Sequence, residues 1–257
     1  MNTPQVLLLG ALAGGTIFLG LPLAKLRPPR TLQGFLSAIA TGILFFLLYD
    51  VLSQATDPVN RALKHASHGT FALYLIALIA GLGIGLLALV VFEKRFLRGD
   101  TQGVPGAVPA GTTLGYMIAA GIGLHNFSEG LAIGQAATTG LYQLAALLII
   151  GFGLHNMTEG FGISAPLAGN ISWAFIGLAG LVGGGPTFLG TVIGMSLHAE
   201  VVYILFLSLA AGSIIYVLSQ LLPIIKRAQA QQFVMTGLII GFTVAFGTDL
   251  VLTAAGA

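Results

Sequence analysis

The stretch GLHNFSEGLAI, residues 123–133, places a histidine, an asparagine and a glutamate inside an apolar run long enough to cross a membrane. Thirty residues later GLHNMTEGFGI, residues 153–163, repeats the placement, with seven of eleven positions identical. An ionised carboxylate at the centre of a bilayer is costly unless something satisfies it, so intramembrane ionisable residues mark functional sites by default. A structural His–Glu contact accounts for one such motif. Two in register ask for a shared purpose.

The surrounding chain is built for lipid. Of its 257 residues, 56% are hydrophobic and 7% charged, whereas about a quarter of a soluble domain is charged. Apolar windows of about 20 residues fall near 5–24, 32–52, 71–92, 113–138, 141–166, 172–196, 199–224 and 233–254. No period-2 alternation suggests barrel strands. The expected fold is therefore an all-α integral membrane protein, an eight-transmembrane-helix bundle. Residues 1–257 form a single transmembrane domain of three helices, a cytoplasmic linker at about 93–112 and five further helices. The linker contains GDTQGVPGAVPAGT, residues 99–112, a Gly/Pro run that no helix accepts. The 37 glycines suit close helix approach, with small-xxx-small spacing at Gly180/Gly184, Gly190/Gly194 and Gly237/Gly241.

Basic residues bias the loops they occupy toward the cytoplasm. Lys25, Arg27, Arg30, Lys94, Arg95, Arg98, Lys226 and Arg227 all fall on one side of the eight spans, leaving Arg61 and Lys64 opposite. Both the N and C termini then lie outside. MNTPQ has no basic n-region, and its positive charges follow the first span, so that span reads as a helix rather than a cleaved signal. The net charge of +2, carried at helix ends, gives no basis for a nucleic-acid partner. With no cysteine, thiolate ligands and disulfides are excluded.

At about 1.5 Å per residue, His125 lies roughly 18 Å along the fourth span, at mid-membrane depth. His155 reaches a similar depth from the other side. Within each span His and Glu stand at i and i+4 on one face, with Asn about 100° around. A short connection near residues 139–140 makes the two spans antiparallel neighbours, so the motif faces can meet. His125, Glu129, His155 and Glu159 offer two imidazoles and two carboxylates, a set that suits a divalent transition metal. Asn126 and Asn156 add carbonyl oxygens for the same ion or a second one. Nitrogen and carboxylate ligands suit Zn²⁺, Fe²⁺ or Mn²⁺, and spacing does not choose among them.

These motifs resemble the fourth- and fifth-helix signatures of the ZIP (Zrt/Irt-like) metal-ion transporters, usually written HNxPEG. The eight spans, the outward termini and SLAAGSIIYVLSQLLP, residues 208–223, are also ZIP-like. The resemblance implies uptake of divalent metal, Zn²⁺ first with Fe²⁺, Mn²⁺ and Cd²⁺ as further candidates, from a binuclear or adjacent-site centre toward the cytoplasm. It also implies a homodimer in the cell (inner) membrane, moving by an elevator-type shift. The chain departs from the pattern in four places. Ser128 and Thr158 stand where many members have Pro, so any bend comes from a side-chain bond to the i−4 carbonyl. GGGPTFLGTVIG, residues 183–194, carries no acid where relatives supply one from the sixth helix. Ser219 and Gln220 replace a His-Glu pair, and the linker has no histidine.

Pro186, after three glycines, predicts a kinked or locally unwound sixth helix. Its freed carbonyls are either ligands or part of a packing kink. Asp50, His198, Glu200 and Asp249 map to the outward half as a candidate entry vestibule that concentrates cations. Asp57, His65 and His68 read as ordinary loop polarity, and Trp173 as an interfacial anchor. Two other functions use the same ligands. A metal-selective channel saturates at much higher metal concentration. An intramembrane metal-dependent hydrolase needs an open coordination position, and the chain contains neither HExxH nor Glu-x-x-His, so an enzyme is not expected.

Overall fold

The computed structural model describes residues 3–25, 29–65, 68–92, 94, 111–138, 156–167, 171–197 and 199–254, and the regular structure among them is helical throughout. In chain order these are α1 (Thr3–Gly15), α2 (Ile17–Gly20) with a 3-10 turn Leu21–Lys25, α3 (Arg30–His65), α4 (His68–Phe92) and α5 (Gly111–Thr138). There follow α6, described over residues 156–164, then a 3-10 turn Ala165–Leu167, α7 (Trp173–Gly194), α8 (Glu200–Lys226) and α9 (Gln231–Ala254). Among the described residues six helical segments are long and apolar enough to cross a membrane: Thr3–Gly20, α3, α4, α7, α8 and Gln231–Leu250. α5, with 28 residues, is about 42 Å long and so has the length, while its polar motif dilutes its apolar character. The short connection at 139–140, the first half of the fifth span and nearly all of the 93–112 linker lie outside the described residues.

Two helices differ from expectation. α3 continues past residue 52 to His65 with Pro58 inside it. Its extension is supported by side-chain pairs one turn apart, Gln54 donating to Asp50 at 2.8 Å and Arg61 pairing with Asp57. α7 runs unbroken through Pro186, starting from an N-cap in which Ser172 accepts from the Phe175 amide at 3.0 Å. α5 packs closely along this stretch: a Cβ on Gly123 would sit 2.2 Å from the Val182 oxygen, whose i+4 donor Pro186 lacks. Among the described residues an interruption falls instead at Thr16, between α1 and α2.

Glycine decides how these helices meet. Cβ atoms built on Gly130 and Gly190 would lie 2.1 Å from the carbonyls of Thr187 and Phe127, joining α5 to α7. Gly14 and Gly184 meet each other's carbonyls at 2.2 and 2.1 Å, joining α1 to α7, and Gly160 meets Ile17 O at 2.0 Å, joining α6 to α2. In a second set, Gly85 and Gly212 meet Leu209 O and Leu82 O between α4 and α8, and Gly42 and Gly241 meet Leu238 O and Ile39 O between α3 and α9. The spaced glycine pairs read from the sequence are thus packing positions. Among the described residues, the glycine positions where an added Cβ would fall under 3.0 Å from a neighbouring helix's backbone pair helices within the set α1, α2, α5, α6, α7 or within the set α3, α4, α8, α9. Between the sets the approach is looser, with the Phe127 and Phe206 rings at 4.2 Å and the Ser213 Cβ at 3.2 Å from a Cβ on Gly121.

The same contacts repeat at fixed offsets. Gly42 on Leu238 O and Gly212 on Leu82 O, or Gly241 on Ile39 O and Gly85 on Leu209 O, are one contact made twice. Likewise Asn126 donates to Gly183 O at 3.0 Å while Asn156 donates to Ala13 O at 2.9 Å. Adding 170 to a residue of α1–α3 gives its equivalent in α7–α8, and GALAGGTIFLG, residues 10–20, shares six of eleven positions with GLVGGGPTFLG, residues 180–190. The contacts of α1 and α2 with α7 run in opposite chain directions, Gly10 against Thr191 and Phe18 against Gly180, so equivalent helices are antiparallel. This is an inverted repeat about a pseudo-two-fold axis between Gly14 and Gly184.

Candidate metal site

α5 and α6 bring their motif residues into the protein interior. His125, Asn126 and Glu129 expose 1%, 0% and 5% of their surface, and Asn156 and Glu159 none. Successive i, i+4 spacing turns His125 Nε2 onto Glu129 Oε1 at 3.3 Å. Across the helix pair, Glu159 lies within electrostatic reach of Glu129 and His125, with the Asn126 side chain on its carboxylate. The motif faces of α5 and α6 therefore do meet. His155 lies outside the described residues, and among those described no group of three or more His, Asp or Glu is gathered tightly enough to hold a metal.

The two asparagines are fixed by their backbone partners. Each commits its Nδ2 to a carbonyl of a neighbouring helix, Gly183 on α7 or Ala13 on α1. Each Oδ1 is left buried without a hydrogen-bond partner, and so is Glu129 Oε2. Buried acceptors of this kind are costly unless a donor or a cation meets them. The donor set, carboxylate and amide oxygens beside an imidazole, suits a borderline divalent cation. Ser128 is buried with its Oγ unpartnered, so it makes no bond to the i−4 carbonyl, and α5 continues as helix through it.

Beyond Glu129 along α5, a cavity of about 570 Å³ opens, lined by Gln54, Asp57, Arg61, Ala132, Glu200 and Tyr203 among others. On its wall Tyr203 donates to Gln54 Oε1 at 2.8 Å, and Gln54 holds Asp50 Oδ2. The charge of Asp50 reaches His125, Glu129, Glu159 and Asp249. At the rim Arg61 pairs with Asp57 and, at 3.1 Å, with Glu200, whose other oxygen accepts from Tyr74 at 2.8 Å. Asp57, read from the sequence as ordinary loop polarity, is thus a cavity residue, and the rim sets two carboxylates against one guanidinium. His198 lies outside the described residues, while His65 and His68 are exposed at helix ends. Arg61 and Tyr203 were not legible as cavity residues, because only the α3 extension and the α3–α8 pairing bring them there.

On the other side of His125 the interior is filled. Met117, Ile118 and Ile122 of α5 pack with Leu44, Leu47, Ile214, Val217 and Leu221, all buried. Farther along, Trp173 stands exposed at the head of α7 with the Lys25 ammonium 4.9 Å over its ring.

A family model described as ZIP zinc transporter matches residues 100–254. The zinc transporters ZupT of Salmonella paratyphi A (strain ATCC 9150 / SARB42) and Salmonella newport (strain SL254) are each 29% identical to the chain over 264 aligned positions, covering 98% of the chain and 97% of the transporter. The zinc transporter ZupT of Salmonella enteritidis PT4 (strain P125109) matches to the same extent.

Proposed function

This chain belongs to the ZIP zinc transporter family, and from that premise we propose that it carries divalent transition-metal ions, Zn²⁺ first, across the cell (inner) membrane into the cytoplasm. The ion binds between α5 and α6 through His125, Glu129, His155 and Glu159, with Asn126 and Asn156 as further oxygen ligands. The observation that carries this reading is the burial of two carboxylates and two amide oxygens, three of these oxygens unpartnered, on facing helices. A divalent cation supplies the missing positive charge. One transmembrane domain of eight spans, with termini outside and a homodimeric assembly, completes the proposal.

The cavity at the Glu129 side is the entrance, with Asp50, His198, Glu200 and Asp249 as its vestibule. A carrier is favoured over a channel because the buried cluster around Ile122 and Ile214 stops the cavity short of the opposite face. Movement then means sliding the set α1, α2, α5, α6, α7, locked by glycine contacts, along the looser interface it shares with α3, α4, α8, α9. Zinc uptake into proteoliposomes that saturates and exceeds that of protein-free vesicles is the expected result. Uptake linear in concentration means a channel, and none at all rejects transport.

Coordination needs neutral imidazoles and ionised carboxylates, so protons compete with metal. Zinc affinity, read by calorimetry, is expected to fall at least tenfold between about pH 7.5 and 5.5, with protons released on binding. A flat profile counts against these ligands. At the rim, Arg61→Gln frees Asp57 and Glu200 from their guanidinium. It is expected to lower the half-saturating zinc concentration about two- to threefold, an effect that fades in salt because all three side chains are exposed. An unchanged value at low salt places Arg61 outside the ion's path.

A further inference from the structure

The inverted repeat assigns every position on the entry side a counterpart on the opposite side. In α3 and α8 the register is tight: residues 33–44 and 203–214 share one sequence of buried and half-buried positions. Both helices continue unbroken for two more turns, so Asp50 and Gln220 are equivalent, and each is half-buried. A two-fold axis perpendicular to the helices puts equivalent positions at equal depth on opposite sides of the Gly14–Gly184 contact. Asp50 therefore stands to the entrance as Gln220 stands to the far side.

The pair is alike in place and unlike in charge. Asp50 is a carboxylate oriented by Gln54, itself oriented by Tyr203, and both of these partners line the cavity. Gln220 is a neutral amide, and the equivalents of Gln54 and Tyr203 are Ile224 and Gln33, so an aliphatic side chain stands where the orienting amide would be. A fixed carboxylate binds a divalent cation more tightly than an amide oxygen does.

We propose that Asp50 and Gln220 are the entry-side and exit-side contacts of one ion moved between them by α5 and α6, and that their difference in charge makes the protein hold metal more tightly on the entrance face. Gln54 and Tyr203 are positioning residues that aim the Asp50 carboxylate at the ion. The inference rests on the transport reading above. For a passively carried ion such a difference leaves the final distribution unchanged, and it sets the half-saturating concentration at each face.

The test is zinc flux in proteoliposomes of one orientation, with half-saturation measured at each face for the wild type, Asp50→Asn, Gln220→Glu and the double exchange. The wild type is expected to half-saturate at lower zinc on the Asp50 face. Asp50→Asn raises that value roughly tenfold, and Gln220→Glu lowers the value on the other face by a similar factor, with maximal fluxes free to change as the unaltered final distribution requires. The double exchange reverses the preference. Asp50→Glu retains the wild-type order, and Tyr203→Phe shifts the entrance value in the direction of Asp50→Asn by a smaller factor. Each single variant reports on its own face, so the loss of one protein leaves the other decisive. A face preference that survives the exchange overturns the proposal. Glu129→Ala run beside it separates the two ideas: wild-type flux from that variant removes the transport site itself, whereas an inactive Glu129→Ala with an unaltered exchange removes only the Asp50–Gln220 pairing.

Discussion

Replacing Glu129 and Glu159 together by alanine is expected to abolish saturable zinc flux while leaving a folded protein. Both carboxylates are nearly or fully buried, and Glu129 Oε2 has no hydrogen-bond partner. Without metal they place charge in a low-dielectric interior, so their removal relieves desolvation and leaves apo stability unchanged or raised. With metal they contribute the formal negative charge that neutralises it. Zinc at a hundred times its dissociation constant stabilises the wild type by about 2.7 kcal/mol, read as a thermal shift, and that shift is expected to vanish in the double variant. Equal flux from both proteins, or an equal zinc-induced shift, ends the assignment of this site. The paired readout separates a lost ligand set from a lost fold, because a merely misfolded variant would also lose its own melting transition.

A second large effect is expected at the repeat axis. In Gly184→Ala the new Cβ falls 2.1 Å from Gly14 O, a backbone atom, so α1 and α7 must part. Overpacking of that kind costs about 3 kcal/mol or more when neither helix can yield. Loss of a monodisperse protein in detergent, or a large fall in melting temperature, is the anticipated outcome. The adjacent Gly185→Ala is the control, since its Cβ would meet nothing within 4 Å and alanine gains up to about 1 kcal/mol of helix propensity over glycine. Similar melting temperatures for the two variants would remove the close α1–α7 contact, and with it the axis on which the Asp50–Gln220 equivalence depends.

Much of the candidate site was legible in the chain. GLHNFSEG and GLHNMTEG are visible because a polar side chain in an apolar run has no cheap alternative to a partner, and the i, i+4 spacing fixes which residues share a face. The six apolar segments long enough to cross a membrane among the described residues were legible from their composition. What failed were features governed by neighbours. Pro186 reads as a kink or a local unwinding, and the unwinding is absent: α7 stays helical where α5 packs against it, with Asn126 bonded to Gly183 O. Ser128 reads as a bend-maker, yet its hydroxyl has no partner.

The repeat between residues 10–20 and 180–190 was present in the sequence all along and became apparent only through contacts. Its shared residues are mainly glycines, which are common in this chain and carry no chemistry by themselves. Composition and periodicity alone determined a membrane-embedded helical protein with two polar motifs inside apolar runs, because hydrocarbon tolerates few other ways to place such residues. Only the tertiary structure decided which helices lock through backbone contact, that Asp57 and Arg61 join Glu200 at one rim, and that Asp50 and Gln220 are counterparts. Those relations depend on where distant segments meet, and a side chain's partner across 139 residues of chain, as between Arg61 and Glu200, leaves no local trace.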